Sequence, residues 1–410
     1  MNANRSIETH CLVVGGGIAG LACAKELAER GFNSVIVEKA PFLGGHGVKL
    51  VCKATHACQN CGACLVTEAI RESQESPRIA HLLSAGVTRL KRENSGFESL
   101  IVQGPLRICP DLCDGCGECV QACPIPGAIR MSPVVQTTYI VYDACARSRA
   151  DSCARCQDAC PRSAINLTAS ETEFLVRSHA VVVATGFTPF DAAEKPRLGY
   201  GRIPGVLTAL ELEDLLRNEQ FEWSPKGRPI SRIAFIQCVG SRDAHIGRNY
   251  CSQVCCAYAL RLARLLKAKK PEIEITVFYM DIQTFERNFE KRLRETAEKV
   301  NLCRAMPSEV RAAAAGGVEV LYHNSQGANV WDVFDAVVLS VGMSPPDSVP
   351  GLDFLGRNEH GFFQPAGGSG IFVAGACQGP KSIVESMRQA RAVAERVVGY
   401  MERGDRGALY

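Results

Sequence analysis

The sequence predicts an α/β fold with two dinucleotide-binding domains and a small cysteine-rich α+β domain inserted into the first. Three observations support this prediction. A strand, a glycine turn and a helix open the chain at residues 11–30, and two runs of closely spaced cysteines occupy residues 113–160. A second strand, helix and strand cover residues 232–279. The length of 410 residues fits two or three domains.

The first element is a dinucleotide-binding fingerprint. An apolar strand at residues 11–14 runs into a glycine turn, a helix follows, and a second strand ends in Glu38. Gly15 allows the tight turn, Gly17 lets the backbone approach a pyrophosphate, and Gly20 lets the helix pack closely on the strand. We expect Glu38 to accept hydrogen bonds from ribose hydroxyls.

Three further segments indicate FAD rather than NAD. Residues 38–45, 180–186 and 370–375 resemble the Gly-Gly stretch, the Ala-Thr-Gly turn and the last FAD strand of flavoproteins with two dinucleotide domains. Where simple reductases carry an acidic residue, this chain has Ala376-Cys377, so backbone groups around Gln378 are expected to contact the ribityl chain instead. The predicted FAD-binding residues are Gly15, Gly17, Ile18, Ala19, Gly20, Glu38, Lys39, Gly44, Gly45, Ala184, Thr185, Gly186, Gly375, Ala376, Gln378 and Gly379.

The cysteine runs have the spacing of a bacterial ferredoxin. The first is C-x2-C-x2-C-x3-C followed by Pro124, and the second differs only in a stretched first spacing before Pro161. In a two-cluster module each [4Fe-4S] cluster takes three ligands from one run and the last cysteine of the other. The predicted quartets are Cys113, Cys116, Cys119 and Cys160, and Cys145, Cys153, Cys156 and Cys123.

Structural zinc and disulfides are the alternatives for these eight residues. Zinc sites usually pair two C-x2-C knuckles across a longer loop, and a triplet followed by Cys-Pro, written twice, fits that pattern badly. Disulfides are disfavoured because the start of the chain does not read as an export signal, and 21 cysteines in a cytosolic protein indicate metal binding.

The second α/β unit lacks a glycine fingerprint after its first strand. That strand runs into Gln237-Cys238-Val239-Gly240-Ser241, and the next helix opens with Cys255-Cys256. We therefore expect a third [4Fe-4S] cluster in place of a nicotinamide site, unless some of these cysteines are small buried apolar side chains. Its predicted ligands are Cys238, Cys251, Cys255 and Cys256.

A fourth cysteine group follows the Gly-Gly turn. It repeats the C-x2-C-x2-C spacing without a following Cys-Pro, and it is interpreted as a further cluster near the flavin, with a structural metal or an exchanging thiol pair as alternatives. The predicted ligands are Cys52, Cys58, Cys61 and Cys64, with Cys109 as a rival to Cys52.

Composition and motif order give the remaining expectations. The net charge of +3 argues against nucleic acid as a partner, and the absence of a run of about 18 apolar residues argues against a membrane span. We expect a cytoplasmic protein, with docking to a membrane complex and homodimerisation left open. The predicted FAD-binding domain comprises residues 1–105, 169–230 and 331–410, the inserted ferredoxin domain residues 106–168, and the second Rossmann-like domain residues 231–330.

Several stretches resemble the A subunit of heterodisulfide reductase and its relatives, which include the A subunit of the quinone-interacting membrane-bound oxidoreductases. The most specific are residues 235–243, 250–256, 278–282 and 374–381. The resemblance implies a thioredoxin-reductase-like fold, bound FAD, and electron transfer to partners similar to the B and C subunits of heterodisulfide reductase or to quinone-interacting subunits. No acid–base constellation is found, so no catalytic residue is predicted.

Two other functions are weighed against electron distribution between flavin and clusters. One is a stand-alone NAD(P)H-dependent disulfide or glutamate-synthase-type reductase, which the missing second glycine fingerprint disfavours. The other is an iron-sulfur scaffold with a structural FAD, which a flavin that cannot be reduced through the clusters would favour.

Overall fold

The computed structural model describes residues 5–109, 112–132, 138–141, 144–149, 152–217, 229–283, 289–365 and 369–407. Its helices are α1 (Ile18–Glu29), α2 (Ala63–Glu75), α3 (Glu118–Ala122), α4 (Arg155–Asp158), α5 (Ala209–Arg217), α6 (Cys255–Lys269), α7 (Phe289–Ala297) and α8 (Ile383–Gly407). Its strands are β1 (Arg5–Val14), β2 (Ser34–Glu38), β3 (Ile79–Leu83), β4 (Ala85–Glu93), β5 (Gly96–Gln103), β6 (Ile129–Met131), β7 (Thr138–Ile140), β8 (Thr172–Val183), β9 (Thr188–Pro189), β10 (Val206–Thr208), β11 (Arg232–Val239), β12 (Glu274–Phe278), β13 (Asn301–Cys303), β14 (Glu309–Ala312), β15 (Val318–His323), β16 (Asn329–Phe334), β17 (Ala336–Val341), β18 (Met343–Ser344) and β19 (Ile371–Val373).

A seven-stranded sheet in the order β3-β2-β1-β8-β5-β4, with β19 paired to β8, forms the first unit. The strands β3, β2, β1, β8 and β19 pair in parallel, whereas β5 runs antiparallel to both β8 and β4. Apolar residues of β1 and of the end of β8 are buried on both faces, because α1, α2 and α8 cover one side and residues 349–363, with Cys377, cover part of the other. This arrangement brings the carboxyl ends of β1, β2, β8 and β19 to one edge.

The cysteine-rich segment lies between two neighbouring strands of this sheet. Gln103, the last residue of β5, pairs with Thr172, the first of β8. The chain therefore leaves the sheet after residue 103 and re-enters it at the neighbouring residue 172. The segment has its own small core, which includes Ile108, Ile129 and Ile165 together with several cysteines. Its described elements include α3, α4 and the antiparallel pair β6–β7.

The second unit is built on a five-stranded parallel sheet in the order β10-β17-β11-β12-β13. Helices α5 and α6 pack on one face around Phe235, and an antiparallel sheet of β14, β15 and β16 contributes to the core on the other. The predicted strands and helix of this unit are present, with the helix beginning at Cys255. In the described part of the chain, no helix is both long and apolar enough to cross a bilayer.

Candidate functional site

The first glycine turn is held by close backbone contacts. The Gly15 N–H donates to the Val37 carbonyl over 2.8 Å, and Gly15 has φ +111°. A β-carbon there would lie 2.4 Å from the Ala184 carbonyl oxygen, and one on Gly20 would lie 2.0 Å from the Gly15 carbonyl oxygen. Only glycine therefore fits at these two positions. By contrast, nothing lies within 4 Å of a β-carbon built on Gly17, so the turn opens outward where a ligand would approach.

Glu38 ends β2 with its carboxylate already fixed on the glycine turn. Its two oxygens accept hydrogen bonds from the backbone N–H groups of Gly16 and Ala40, each over 2.7 Å. Burial raises the pKa of this carboxyl group, and the two N–H groups oppose that rise. Each carboxylate oxygen keeps a further acceptor site, so the predicted bond to a ribose hydroxyl is compatible with this geometry.

A second turn, Gly44-Gly45, packs on the first and leads into His46. The Gly44 N–H donates to the Gly16 carbonyl over 2.7 Å. The His46 ring lies 4.7 Å from the Phe187 ring, and its Nε2 contacts the Phe187 carbonyl oxygen over 3.1 Å. Burial lowers the pKa of His46 to about 4, so the ring is neutral and its Nε2–H donates to that carbonyl. Its buried Nδ1 has no hydrogen-bond partner among the described residues.

The last turn of this edge lies between β19 and α8. The Gly375 N–H donates to Gln389 Oε1 over 2.8 Å, and the Gln389 amide in turn donates to Gln378 Oε1. Ser382 and Glu385 form a reciprocal capping box at the start of α8, with the Ser382 N–H donating to the Glu385 carboxylate over 2.8 Å. Gln389 therefore fixes the loop predicted to contact the ribityl chain.

These turns together fit a flavin dinucleotide. The opening above Gly17 suits a pyrophosphate, Glu38 suits a ribose, and the unpartnered Nδ1 of His46 offers one acceptor at the same sheet edge. The sequence reasoning missed His46 and Gln389. The pattern Ser382-x-x-Glu385 is a signal for the start of α8, but the His46 contact joins residues 141 positions apart and has no local signal.

The two ferredoxin-type quartets line two separate cavities. Cys113, Cys116, Cys119 and Cys160 line one, and Cys123, Cys145, Cys153 and Cys156 line the other. The last cysteine of each run therefore lines the cavity formed by the first three cysteines of the other run. Burial raises the pKa of Cys156 to about 11, and Cys145 and Cys123 are close enough to add to that rise. The Ala164 N–H donates to Cys160 Sγ over 3.3 Å, which favours a thiolate there.

The third quartet gathers at the carboxyl edge of the second sheet. Cys238 lies near the end of β11 with φ +58°, and Cys255 and Cys256 form the first turn of α6. Burial raises the pKa of Cys238 to about 11, with the neighbouring Cys256 and Cys251 adding to it. The same four residues interact around Cys255, whose pKa is raised chiefly by burial and then by Cys238. The predicted ligands are therefore neighbours in space.

The fourth group lies on residues 51–64, which pack against the second unit. Cys52, Cys58 and Cys64 are exposed and Cys61 is half-buried. The Asn60 N–H donates to Cys58 Sγ over 3.4 Å. Cys109 belongs to the cysteine-rich segment, where its N–H donates to the Ala164 carbonyl. No three His, Cys, Asp or Glu side chains among the described residues are arranged to hold a single metal ion.

Known proteins similar to this chain agree with the sequence-based resemblance. The A subunit of the H(2):CoB-CoM heterodisulfide,ferredoxin reductase of Methanothermobacter thermautotrophicus is 32% identical over 98% of this chain and 65% of its own length. The iron-sulfur A subunit of the CoB-CoM heterodisulfide reductase of Methanocaldococcus jannaschii is 31% identical over 97% of this chain and 65% of its own length. The resemblance is thus confirmed, and the chain spans 65% of the length of these relatives.

Solved structures support the predicted fold. T. acidophilum thioredoxin reductase superposes with a TM-score of 0.54 at 13% identity, covering 97% of this chain and 99% of that one. Lactococcus lactis thioredoxin reductase gives 0.53 at 14% identity, covering 96% and 99%. Residues 9–392 match the family of pyridine nucleotide-disulphide oxidoreductases. The chain therefore belongs to the pyridine nucleotide-disulphide oxidoreductase family and is a flavin-containing oxidoreductase with a thioredoxin-reductase-like α/β fold.

Proposed function

We propose that this chain is an electron-transfer subunit that holds FAD and [4Fe-4S] clusters and passes electrons between the flavin and partner subunits of a heterodisulfide-reductase-like complex. The observation that carries the proposal is the crossed lining of the two cysteine cavities. Spacing alone led us to expect three ligands from one run and one from the other, and each cavity has that lining. Similarity to heterodisulfide reductase A subunits along nearly the whole chain supports the choice of complex.

FAD would bind along the edge formed by β1, β2, β8 and β19. When bound, it would exchange electrons in pairs with one redox partner and singly with the iron-sulfur clusters. The open turn at Gly17 would receive the pyrophosphate, and Glu38 would hold a ribose in place. His46, kept neutral by burial, would offer its Nδ1 as a hydrogen-bond acceptor without adding charge to the site.

The inserted segment would act as a two-cluster ferredoxin domain, with boundaries at about residues 106 and 168. Its chain returns next to its starting point, so such a domain can be inserted without disturbing the sheet. The cavity of the first quartet also contains Asp114 and Arg162, whereas the other is bordered by apolar side chains such as Ile129, Ile140 and Leu167. Because burial and nearby charge set cluster potentials, the two clusters are expected to differ in potential.

The third quartet would hold a cluster in the second unit. Burial raises the pKa values of Cys238, Cys255 and Cys256, and repulsion from neighbouring cysteines of the quartet adds to the rise. Bound iron would remove the cost of ionising them by neutralising the thiolates. The Gln253 N–H, which donates to Cys251 Sγ over 3.3 Å, would help to orient that ligand.

Cys52, Cys58, Cys61 and Cys64 would hold a fourth cluster. Cys58 already has an N–H···S bond from Asn60, similar in length to those at Cys160 and Cys251. With Cys58 and Cys64 exposed, this cluster would lie near the surface and would be the natural exit or entry point for electrons exchanged with a partner protein.

The stand-alone NAD(P)H-dependent reductase is the competing function, because the family name itself refers to pyridine nucleotides. At the expected nucleotide position, cysteines occupy the first turn of α6 and the end of β11. Anaerobic addition of NADH or NADPH to the oxidised protein distinguishes the two functions. We expect the flavin absorbance to stay unchanged, and rapid bleaching would favour the competing function.

Iron analysis of single cysteine variants tests the proposal directly. Cys156→Ala is expected to lower the iron content by about four atoms per chain, one cluster equivalent. Cys303→Ala is the control, because Cys303 is a half-buried cysteine that lies outside every quartet. Unchanged iron in Cys156→Ala, with normal flavin content, would contradict the assignment of that cavity.

A further inference from the structure

Two of the sequence stretches that most resemble the family meet in space beside the third quartet. Arg242, from residues 235–243, and Asp281, from residues 278–282, form a bidentate ion pair, with Arg242 Nη2 donating to Asp281 Oδ2 over 3.1 Å. Gln283 Nε2 donates to Asp281 Oδ1 over 2.9 Å and holds the carboxylate from another side. Neither charged residue has a role in the cluster assignment, although both lie in these stretches.

The turn that presents Arg242 is firmly held in an unusual conformation. Arg242 has φ +55°, and its N–H donates to the Tyr250 carbonyl over 3.0 Å. Cys238 and Gln253, which lie before and after it in sequence, also have positive φ angles, +58° and +62°. Such backbone states are unfavourable for residues other than glycine, and they persist only where surrounding contacts impose them. The guanidinium is therefore placed by the fold.

Both members of the ion pair lie beside the cysteines of the third quartet. Arg242 follows Cys238 by four residues, and its N–H is hydrogen-bonded to Tyr250, the residue that precedes Cys251. The sulfur of Cys256 also lies 3.9 Å from the Asp281 carbonyl oxygen. Both members of the pair thus lie within electrostatic reach of the quartet.

We propose that the Arg242–Asp281 pair sets the reduction potential of the cluster held by Cys238, Cys251, Cys255 and Cys256. The inference rests on the proposed function of this quartet. Reduction adds one electron, and therefore one negative charge, to the cluster. Arg242 favours the reduced state through its positive charge, and Asp281 both positions Arg242 and offsets part of that charge.

An EPR-monitored anaerobic redox titration of the full-length, cluster-loaded protein tests this inference. Arg242→Gln leaves Asp281 uncompensated and is expected to disfavour reduction about tenfold, a shift of about 59 mV to more negative potential for one electron. Asp281→Asn leaves Arg242 uncompensated and is expected to shift the potential in the positive direction. The double variant is expected to titrate between the wild type and Arg242→Gln, because Asp281 offsets only part of the Arg242 charge.

Two further variants serve as controls. Arg242→Lys keeps the positive charge and is expected to titrate between the wild type and Arg242→Gln. Arg311→Gln removes a comparable arginine, which pairs with Glu319 on the three-stranded sheet, and is expected to leave the potential unchanged.

Different outcomes contradict this inference and the proposed function. If Cys255→Ala retains all its iron, the cluster assignment itself fails. If the cluster signal is present and Arg242→Gln and Asp281→Asn leave the potential unchanged, or shift it in the same direction, the inference is overturned. Should Arg242→Gln lose its iron, Asp281→Asn still decides, because an unchanged or more negative potential in that variant contradicts the electrostatic role.

Discussion

Replacing Lys53 by Met should release residues 48–60 from the second unit. Lys53 and Glu213 form an ion pair with side chains that are 1% and 0% exposed. The Lys53 ammonium also donates to the Val51 carbonyl over 2.9 Å, and it lies 5.4 Å from the ring centre of Tyr258. The Glu213 carboxylate accepts the Val51 N–H over 2.8 Å. Glu213 lies on α5, so the pair joins the Cys52 segment to the second unit.

The size of the destabilisation expected for Lys53→Met follows from the burial of both charges. Methionine keeps most of the lysine volume but removes the charge, leaving a fully buried carboxylate that still accepts the Val51 N–H. Removing one member of a buried pair costs about 3–5 kcal/mol, because the other charge stays in a low-dielectric site. The double variant Lys53→Met/Glu213→Gln keeps an acceptor for the Val51 N–H without a charge, so we expect it to lose no more than about 2 kcal/mol.

Hydrogen exchange measured by mass spectrometry detects the release of residues 48–60 locally, without requiring two-state unfolding of the whole chain. A loss of about 3–5 kcal/mol corresponds to exchange that is faster by about two to almost four orders of magnitude in peptides covering residues 48–60. Lys91→Met is the matched control: its pair with Glu93 is 65% and 45% exposed, so no change is expected. Exchange within about tenfold of wild type in Lys53→Met would refute this reasoning.

Three other changes have defined outcomes. Gly17→Ala should weaken FAD binding at least about tenfold and leave the circular dichroism spectrum unchanged. The new methyl group meets no protein atom within 4 Å and instead occupies the opening where the ligand would approach. Quenching of flavin fluorescence as strong as in the wild type would contradict this prediction. Burial lowers the pKa of His46 to about 4 in the folded state, against about 6.5 in the unfolded state, so the unfolded state binds a proton first as the pH falls. The free energy of unfolding of the wild type, at its full value above about pH 6.5, should therefore fall by up to about 3 kcal/mol toward pH 4. When the free energy of unfolding is measured across this pH range, His46→Gln should not show the decrease, whereas the variant of the exposed control, His323→Gln, should show it. The same pH dependence in His46→Gln and the wild type would exclude His46 as the cause. Cys58→Ala should lower iron by about four atoms per chain, and unchanged iron would remove the fourth cluster.

Features determined by short sequence spacing could be predicted, and those created by packing could not. The turn at Gly15 and Gly20 was predictable because its glycines belong to one strand–turn–helix unit. The cysteine quartets followed from spacing, and the two ferredoxin-type cavities have the expected crossed lining. The cluster identity of those quartets and the domain boundaries stay predictions.

Long-range charge pairs have no local sequence signal. Lys53 and Glu213 are 160 positions apart, and each has the residue type of an ordinary surface charge. Only the packing of residues 48–60 on α5 and α6 buries both. Arg242 and Asp281 could be singled out as part of distinctive stretches, but their contact depends on the adjacent carboxyl ends of β11 and β12. Tertiary topology, rather than local pattern, created these interactions.

Anaerobic quantification of iron, acid-labile sulfide and flavin, combined with EPR of the dithionite-reduced protein, tests the central claim most directly. We predict one FAD with about 12 iron and about 12 sulfide atoms per chain for three clusters, or about 16 of each with the fourth, and EPR signals of magnetically interacting [4Fe-4S] centres. A protein with FAD but with zinc, or with little iron and no sulfide, would contradict this prediction and would leave a flavoprotein whose cysteines are structural.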